Sequence, residues 1–262
     1  MKVSILGSGS SGNSIFVEVN NIKILIDAGF SGKKIKEKLE AIGEDINNIK
    51  ALLITHEHGD HILGAGIISR KHNLPIYITR ESYEACEHKL GKISPSNLNF
   101  IEDSFYLGEV LVTPFDVMHD AARTIGFSIE YLEKKLTLAT DIGHITNIVK
   151  EHFKGSQIAI IECNYDYQML MNCEYPWDLK ARVKGRNGHL CNDDTAKFLT
   201  DLYHENLKKV YLVHVSNDSN CYDLAFNTVE FELIKNDINI DLEIVKQNTV
   251  TPIYELEAID KL

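Results

Sequence analysis

Short apolar runs separated by glycine, asparagine and charged residues recur along the chain, and they set its skeleton. Residues 3–6, 14–19 and 22–26 read as successive strands, and Ala51-Leu52-Leu53-Ile54 is a continuous apolar run of the kind a buried strand shows. Ser31 is placed to cap a helix whose Ile35, Leu39 and Ile42 share one face, with Lys33, Lys34, Lys36 and Lys38 on its solvated side and Gly43 at its end. The pattern then predicts a helix over 61–72 with Ile62, Ile67 and Ile68 inward, a strand at 75–78 and a helix at 81–90. Residues 99–101, 110–117, 124–131 and 135–139 form a meander of short strands. The second half alternates: a strand at 157–161, a short helix at 166–171, and a helix at 192–203 capped by Asn192 with Asp193 and Asp194 in its first turn. A strand at 209–213, a helix at 222–236 and strands at 242–245 and 252–256 complete it.

Composition narrows the class. A chain of 262 residues, 44% of them hydrophobic, can bury a full core, and no linker interrupts it, so one domain over 1–262 is expected. The opening apolar run is too short for a signal peptide and no stretch approaches a membrane span, so a cytoplasmic protein without membrane contact is expected. Five scattered cysteines form no CxxC pair, which signals neither a disulfide framework nor a cysteine zinc site. A net charge of −11 argues against non-specific coating of nucleic acid. It does not exclude a nucleic-acid enzyme, because bound divalent cations reverse the local sign at a reaction centre.

The chemistry concentrates directly after the run at 51–54, in Thr55-His56-Glu57-His58-Gly59-Asp60-His61. Imidazole nitrogen and carboxylate oxygen are ligands that borderline divalent metals accept, and a loop at a strand end is a rigid place to hang them. The spacing suits two neighbouring ions, His56 and His58 for the first, Asp60 and His61 for the second. Three histidines within six residues, out of 11 in the chain, weigh against an ordinary polar loop. Other chemistry-bearing residues also follow strands. Asp27 ends the run at 22–26, where it could be a turn residue, a helix-capping neighbour or a support for a ligating histidine, and His119, Asp141 and His214 each follow a predicted strand. The loop Gly7-Ser8-Gly9-Ser10-Ser11-Gly12-Asn13 is either a phosphate cradle, through Ser10, Ser11 and Asn13, or a plain tight connection. His189, preceding the helix at 192–203 and near Arg182, Lys184 and Arg186, is either a phosphate contact or structural.

The stretch 56–61 resembles the HxHxDH signature of the metallo-β-lactamase fold superfamily. The resemblance implies a four-layer αββα sandwich of the α/β (α+β) class with the metals where strand-end loops meet. It also implies that Asp27 supports the site, that His119 is the third histidine of the first ion, that Asp141 bridges both ions and that His214 is the last ligand of the second. Gly7 to Asn13, Glu162-Cys163-Asn164-Tyr165-Asp166, Tyr175-Pro176-Trp177, Gly188-His189-Leu190 and His214-Val215-Ser216 further resemble the YycJ/WalJ branch of bacterial proteins. Where many relatives of that branch carry Asn-His-Asp, this chain has Asn164-Tyr165-Asp166, so no catalytic histidine carries over there. The gap from Asp141 to His214 leaves no room for an inserted β-CASP domain.

The branch implies a metal-dependent phosphodiesterase, a 5′ to 3′ exonuclease acting on DNA. Two divalent ions, Zn²⁺ or Mn²⁺, about 3.5 to 4 Å apart would share a hydroxide available at neutral pH. Asp141 would hold the ions together and Asp60 would orient the hydroxide. The alternative is a small-molecule thioester or lactone hydrolase using the same site.

Overall fold

The structure, a computed structural model, describes residues 1–256. Fourteen strands and nine helices are found among these residues. The first half runs β1 (Lys2–Gly7), β2 (Ser14–Val19), β3 (Ile22–Ile26), α1 (Gly32–Ala41), β4 (Ala51–Leu53), α2 (Gly59–Ile62), α3 (Ala65–His72), β5 (Ile76–Ile78), α4 (Arg80–Leu90) and β6 (Leu98–Phe100). The second begins with β7 (Phe105–Leu107), β8 (Val110–Val117), β9 (Thr124–Tyr131), β10 (Lys134–Ala139), α5 (Asn147–Phe153) and β11 (Ile158–Glu162). It ends with α6 (Tyr167–Asn172), α7 (Trp177–Val183), α8 (Asn192–Leu202), β12 (Lys209–Val213), α9 (Tyr222–Lys235), β13 (Asp241–Ile244) and β14 (Tyr254–Glu255).

The strands form two seven-stranded mixed sheets, ordered β14-β1-β2-β3-β4-β5-β6 and β13-β12-β11-β10-β9-β8-β7. Each has an antiparallel part, β14 to β3 in one and β7 to β10 in the other, continued by parallel strands. The alternation of side chains along a strand explains why the apolar runs are unbroken. In β3, Ile24 and Ile26 enter the core between the sheets while Leu25 points to the layer with α1, α3 and α4. In β12, Tyr211 and Val213 face the same central core, and Val210 and Leu212 face the layer with α5, α8 and α9. Both faces of each sheet are therefore covered, which makes four layers, helix, sheet, sheet, helix.

Several expectations are corrected. The helix expected over 61–72 is two, because Gly64 donates its N–H to Ala28 O (2.8 Å) and a side chain there would strike Phe30 O. The break turns α3 so that Ile68 is buried but Ile67 is 48% exposed, not inward. The cap of α8 is Cys191; Asn192 lies inside the helix, its side chain engaged by Asn220 and the Cys163 thiol. The strand at 252–256 shortens to β14, and β7, α5 and α7 are elements that the apolar pattern did not show.

The parallel strands β3 and β4, and β10, β11 and β12, deliver the residues that follow them to one edge of the sandwich. Backbone hydrogen bonds pin those loops together: Asn13 N to Asp60 O (2.8 Å), Ala28 N to His61 O (2.7 Å) and Gly143 N to Met118 O (2.8 Å). Gly29 is the closest approach, since a Cβ there would lie 1.7 Å from Asp60 O. Gly29→Ala is expected to cost about 1–3 kcal/mol or more through displaced backbone. A urea midpoint lowered at unchanged slope would show it, and an unchanged midpoint would mean the two loops yield without cost.

Candidate metal centre

Each chemical residue of the site sits where a buried strand stops. Asp27 follows β3, His56 lies three residues beyond β4, His119 two beyond β8, Asp141 two beyond β10, and His214 directly follows β12. Asp27, Asp141 and His214 take left-handed backbone conformations (φ 58, 55 and 57). These cost strain that the surrounding packing must offset, a cost smaller for aspartate than for most residues, and they turn the chain sharply so that the side chains point along the edge.

Side chains of both sheets meet there. His56, His58 and His119 form one group of potential ligands; Asp60, His61 and His214 form another; His56, His61 and Asp141 a third that joins them. The Asp141 carboxylate lies 3.1 Å from His61 Nε2, 3.5 Å from His214 Nε2 and 3.8 Å from His119 Nε2. Asp60 Oδ2 lies 3.5 Å from His61 Nε2 and 3.7 Å from His214 Nε2.

The partners behind the rings fix which nitrogen is presented. A carboxylate or carbonyl oxygen can only accept, so Nδ1–H must donate from His61 to Asp27 Oδ2 (2.7 Å), from His119 to Gly188 O (3.1 Å) and from His214 to Glu162 Oε1 (2.7 Å). The Thr55 hydroxyl donates to Asp27 Oδ2 (2.8 Å), which leaves it to accept from His56 Nδ1, 3.0 Å away. In all four rings Nε2 is thereby turned toward the shared space. His56 Nε2 and His58 Nδ1 face each other at 3.1 Å, and Asp141 Oδ2 and His214 Nε2 are buried without a hydrogen bond. Buried polar atoms aimed at one another without hydrogen bonds need a cation, and nitrogen with carboxylate oxygen is a donor set that divalent metals accept. The residues fit a metal.

Electrostatics agree. Burial drives His56 well below the ordinary imidazole range, and His61 beside it acts in the same direction. Burial also opposes charge on His61 and His214, but Asp27 and Asp141 around the first, and Asp141, Asp60 and Glu162 around the second, raise both well above that range. Burial resists ionisation of Asp141, yet His214 and His61 hold its carboxyl well below the usual carboxylate range. The pocket is built to balance buried negative charge with positive charge.

Of the expected phosphate contacts, His189 is at the site: its Nδ1 donates to Glu162 Oε1 (2.8 Å) and lies 3.9 Å from Asp141 Oδ1. Asn13 is corrected. It is buried, with Nδ2 donating to His61 Nε2 (3.0 Å), Gly9 O (3.1 Å) and Asp60 Oδ2 (3.2 Å) and Oδ1 accepting from Ser8, so its amide holds Asp60 and His61 and is not free for phosphate. Ser11 bonds Gln247 Oε1 (3.2 Å) and Ser10 is exposed on the loop. The loop acts as a clamp, because Ser8 Oγ also accepts from His214 N (3.0 Å) and so ties the two sheets.

Glu162 was not among the residues singled out for a role. Fully buried at the end of β11, it accepts from His189 and His214 through Oε1, and from Ile142 N (2.9 Å) and Leu190 N (3.1 Å) through Oε2. Its signal was the strand-end position that it shares with Asp27.

Residues 23–215 match the sequence pattern described as the beta-lactamase superfamily domain, and the chain belongs to that superfamily. Within it the chain is YycJ/WalJ-like. It is 38% identical over 225 residues to the exodeoxyribonuclease YycJ of Bacillus anthracis, covering 85% of each chain. It is 34% identical over 263 residues to the exodeoxyribonuclease WalJ of Streptococcus pneumoniae, covering 97% of this chain and 98% of that one. The fold is shared with the metallo-β-lactamase fold protein YhfI of Bacillus subtilis, at TM-score 0.70 and 14% identity over 95% of this chain and 98% of that one.

Proposed function

We propose that the chain is a metal-dependent exodeoxyribonuclease that degrades DNA from 5′ ends. The observation that carries this reading is the convergence of seven side chains, two of which, Asp141 and His214, aim a buried polar atom without a hydrogen bond into the shared space, in a chain similar over nearly its whole length to proteins named exodeoxyribonucleases. His56, His58 and His119 would hold one divalent cation, Asp60, His61 and His214 would hold a second, and Asp141 faces both sets, with Zn²⁺ or Mn²⁺ as the proposed metal. When bound, such ions supply Lewis acidity and a nucleophile at neutral pH. Asp27, Thr55, Gly188 O and Glu162 keep the imidazoles in the one tautomer and orientation that present Nε2. Asp60, partly exposed and held by Asn13, is placed to orient the attacking water and take its proton. With Nδ1–H committed to the Glu162 carboxylate, which also favours the charged ring, protonated His189 would donate Nε2–H to a phosphate oxygen. Among the described residues no helix is long and apolar enough to cross a membrane, and the five cysteines are free; both suit a cytoplasmic enzyme.

The test is elemental analysis paired with cleavage of duplex DNA labelled at its 5′ ends, with chelator and with Mn²⁺ restored. About two metals per chain and mononucleotide release that stops with chelator and returns with Mn²⁺ are expected. Metal-loaded protein that leaves DNA intact but hydrolyses thioesters or lactones would move the function to small molecules.

A further inference from the structure

Between β11 and α8 the chain makes an excursion that carries α6 and α7 and rests against the site. Its Gly188 carbonyl holds His119, and Arg182 pairs with Asp120, whose Oδ1 lies 3.3 Å from His119 Nε2. Two features of it play no part in the chemistry above. Two of its large aromatic rings face solvent, Trp177 at 66% exposure and Tyr167 at 45%, with Lys184 Nζ 5.2 Å and 5.8 Å from their ring centres. Its charge also opposes that of the molecule: residues 177–186 carry four basic side chains against one acidic, in a chain of net charge −11.

Not all of those cations are available. Lys180 donates to Met171 O (2.8 Å) and Arg182 is taken by Asp120, which leaves Lys184 and Arg186, neither of them paired with a carboxylate: Lys184 Nζ meets Met171 Sδ at 4.0 Å and the Arg186 guanidinium meets His144 Nε2 at 3.4 Å. Arg186, Arg182 and Asp120 line a shallow depression of about 400 Å³, one residue from His119. An exposed aromatic pair with cations beside it fits a planar, anionic polymer. A base stacks on the rings and the phosphates next to it meet the cations, a mode that tolerates any sequence because every base has a π-face. An acidic protein partner would use the cations but leave the rings without a specific role.

We propose that Trp177, Tyr167 and Lys184 form a stacking platform for a single-stranded segment of the nucleic acid, with Arg186 taking a neighbouring phosphate at the depression. This deepens the nuclease reading above and rests on it. Trp177 is the chain's only tryptophan, so its fluorescence reports the platform alone.

The test titrates the metal-loaded protein with a ten-nucleotide, cleavage-resistant phosphorothioate oligodeoxynucleotide, and with an abasic strand of equal length and charge. Quenching by the first and little by the second is expected. Tyr167→Ala with Trp177→Ala should weaken binding of the labelled oligonucleotide, read by anisotropy, about tenfold or more; far-ultraviolet circular dichroism checks the fold. Equal quenching by both strands, or a phosphorothioate strand that binds while Trp177 is silent, the double variant binds it as wild type and the unmodified strand is still cut, overturns the platform but leaves the nuclease. A phosphorothioate strand that is not bound and an unmodified strand that is not cut, by a protein that hydrolyses bis(p-nitrophenyl) phosphate, overturn both.

Discussion

His58→Ala is expected to lower DNA hydrolysis about a thousandfold or more, the scale of several kcal/mol that a bound metal contributes to a transition state. The position isolates chemistry from folding. His58 is partly exposed, stands at the N-cap of α2, and makes no side-chain capping bond, so its removal leaves no buried group of the helix unsatisfied. What it removes is the nitrogen 3.1 Å from His56 Nε2, one of three imidazoles in the group with His119. Elemental analysis should find less metal per chain, and the melting curve of the chelator-treated variant should lie within about 1 kcal/mol of chelator-treated wild type. A folded variant with full metal content and undiminished turnover would remove His58 from the site.

The metal-motif loop was legible because its chemistry is local: three histidines and an aspartate follow one buried strand. Asp27, Asp141 and His214 were legible in a weaker sense. Their strand-end positions could be read from apolar runs, but only the family resemblance gave them roles, because their partners lie 22 or more positions away in sequence. Glu162 shows where such reading stops. Its position was visible, but its role is set by His189 and His214, 27 and 52 residues further on. Asn13 failed in the opposite direction. A glycine-serine loop suggests free amide donors, and nothing local shows that the Asn13 side chain is spent on Asp60. The missed helices are short. In α5, Val149 and Phe153 are the buried residues, a single i,i+4 pair, and in α7 the buried residue is Lys180, so neither writes a helical period.

Glu162→Gln should separate holding the site from building the fold. The carboxylate faces donors on both sides, two imidazole N–H groups at Oε1 and the Ile142 and Leu190 amides at Oε2. An amide of the same size has one acceptor oxygen, so whichever way it turns, its NH₂ meets a pair of donors. Two buried donors left without acceptors, at about 1–3 kcal/mol each, lower stability by about 2–6 kcal/mol, a fall in melting temperature of about 4–24 °C for a chain of this size. The same change releases His214 and His189 and the two loops that carry Asp141 and His189, so metal affinity should fall about 10–100-fold, as measured by competition with a chelator. Glu162→Ala strands four donors and should be worse on both counts. A Gln variant that melts with the wild type and keeps its metal would show that His214 is oriented by Asn164, whose Nδ2 bonds its carbonyl at 2.7 Å, and not by the buried carboxylate.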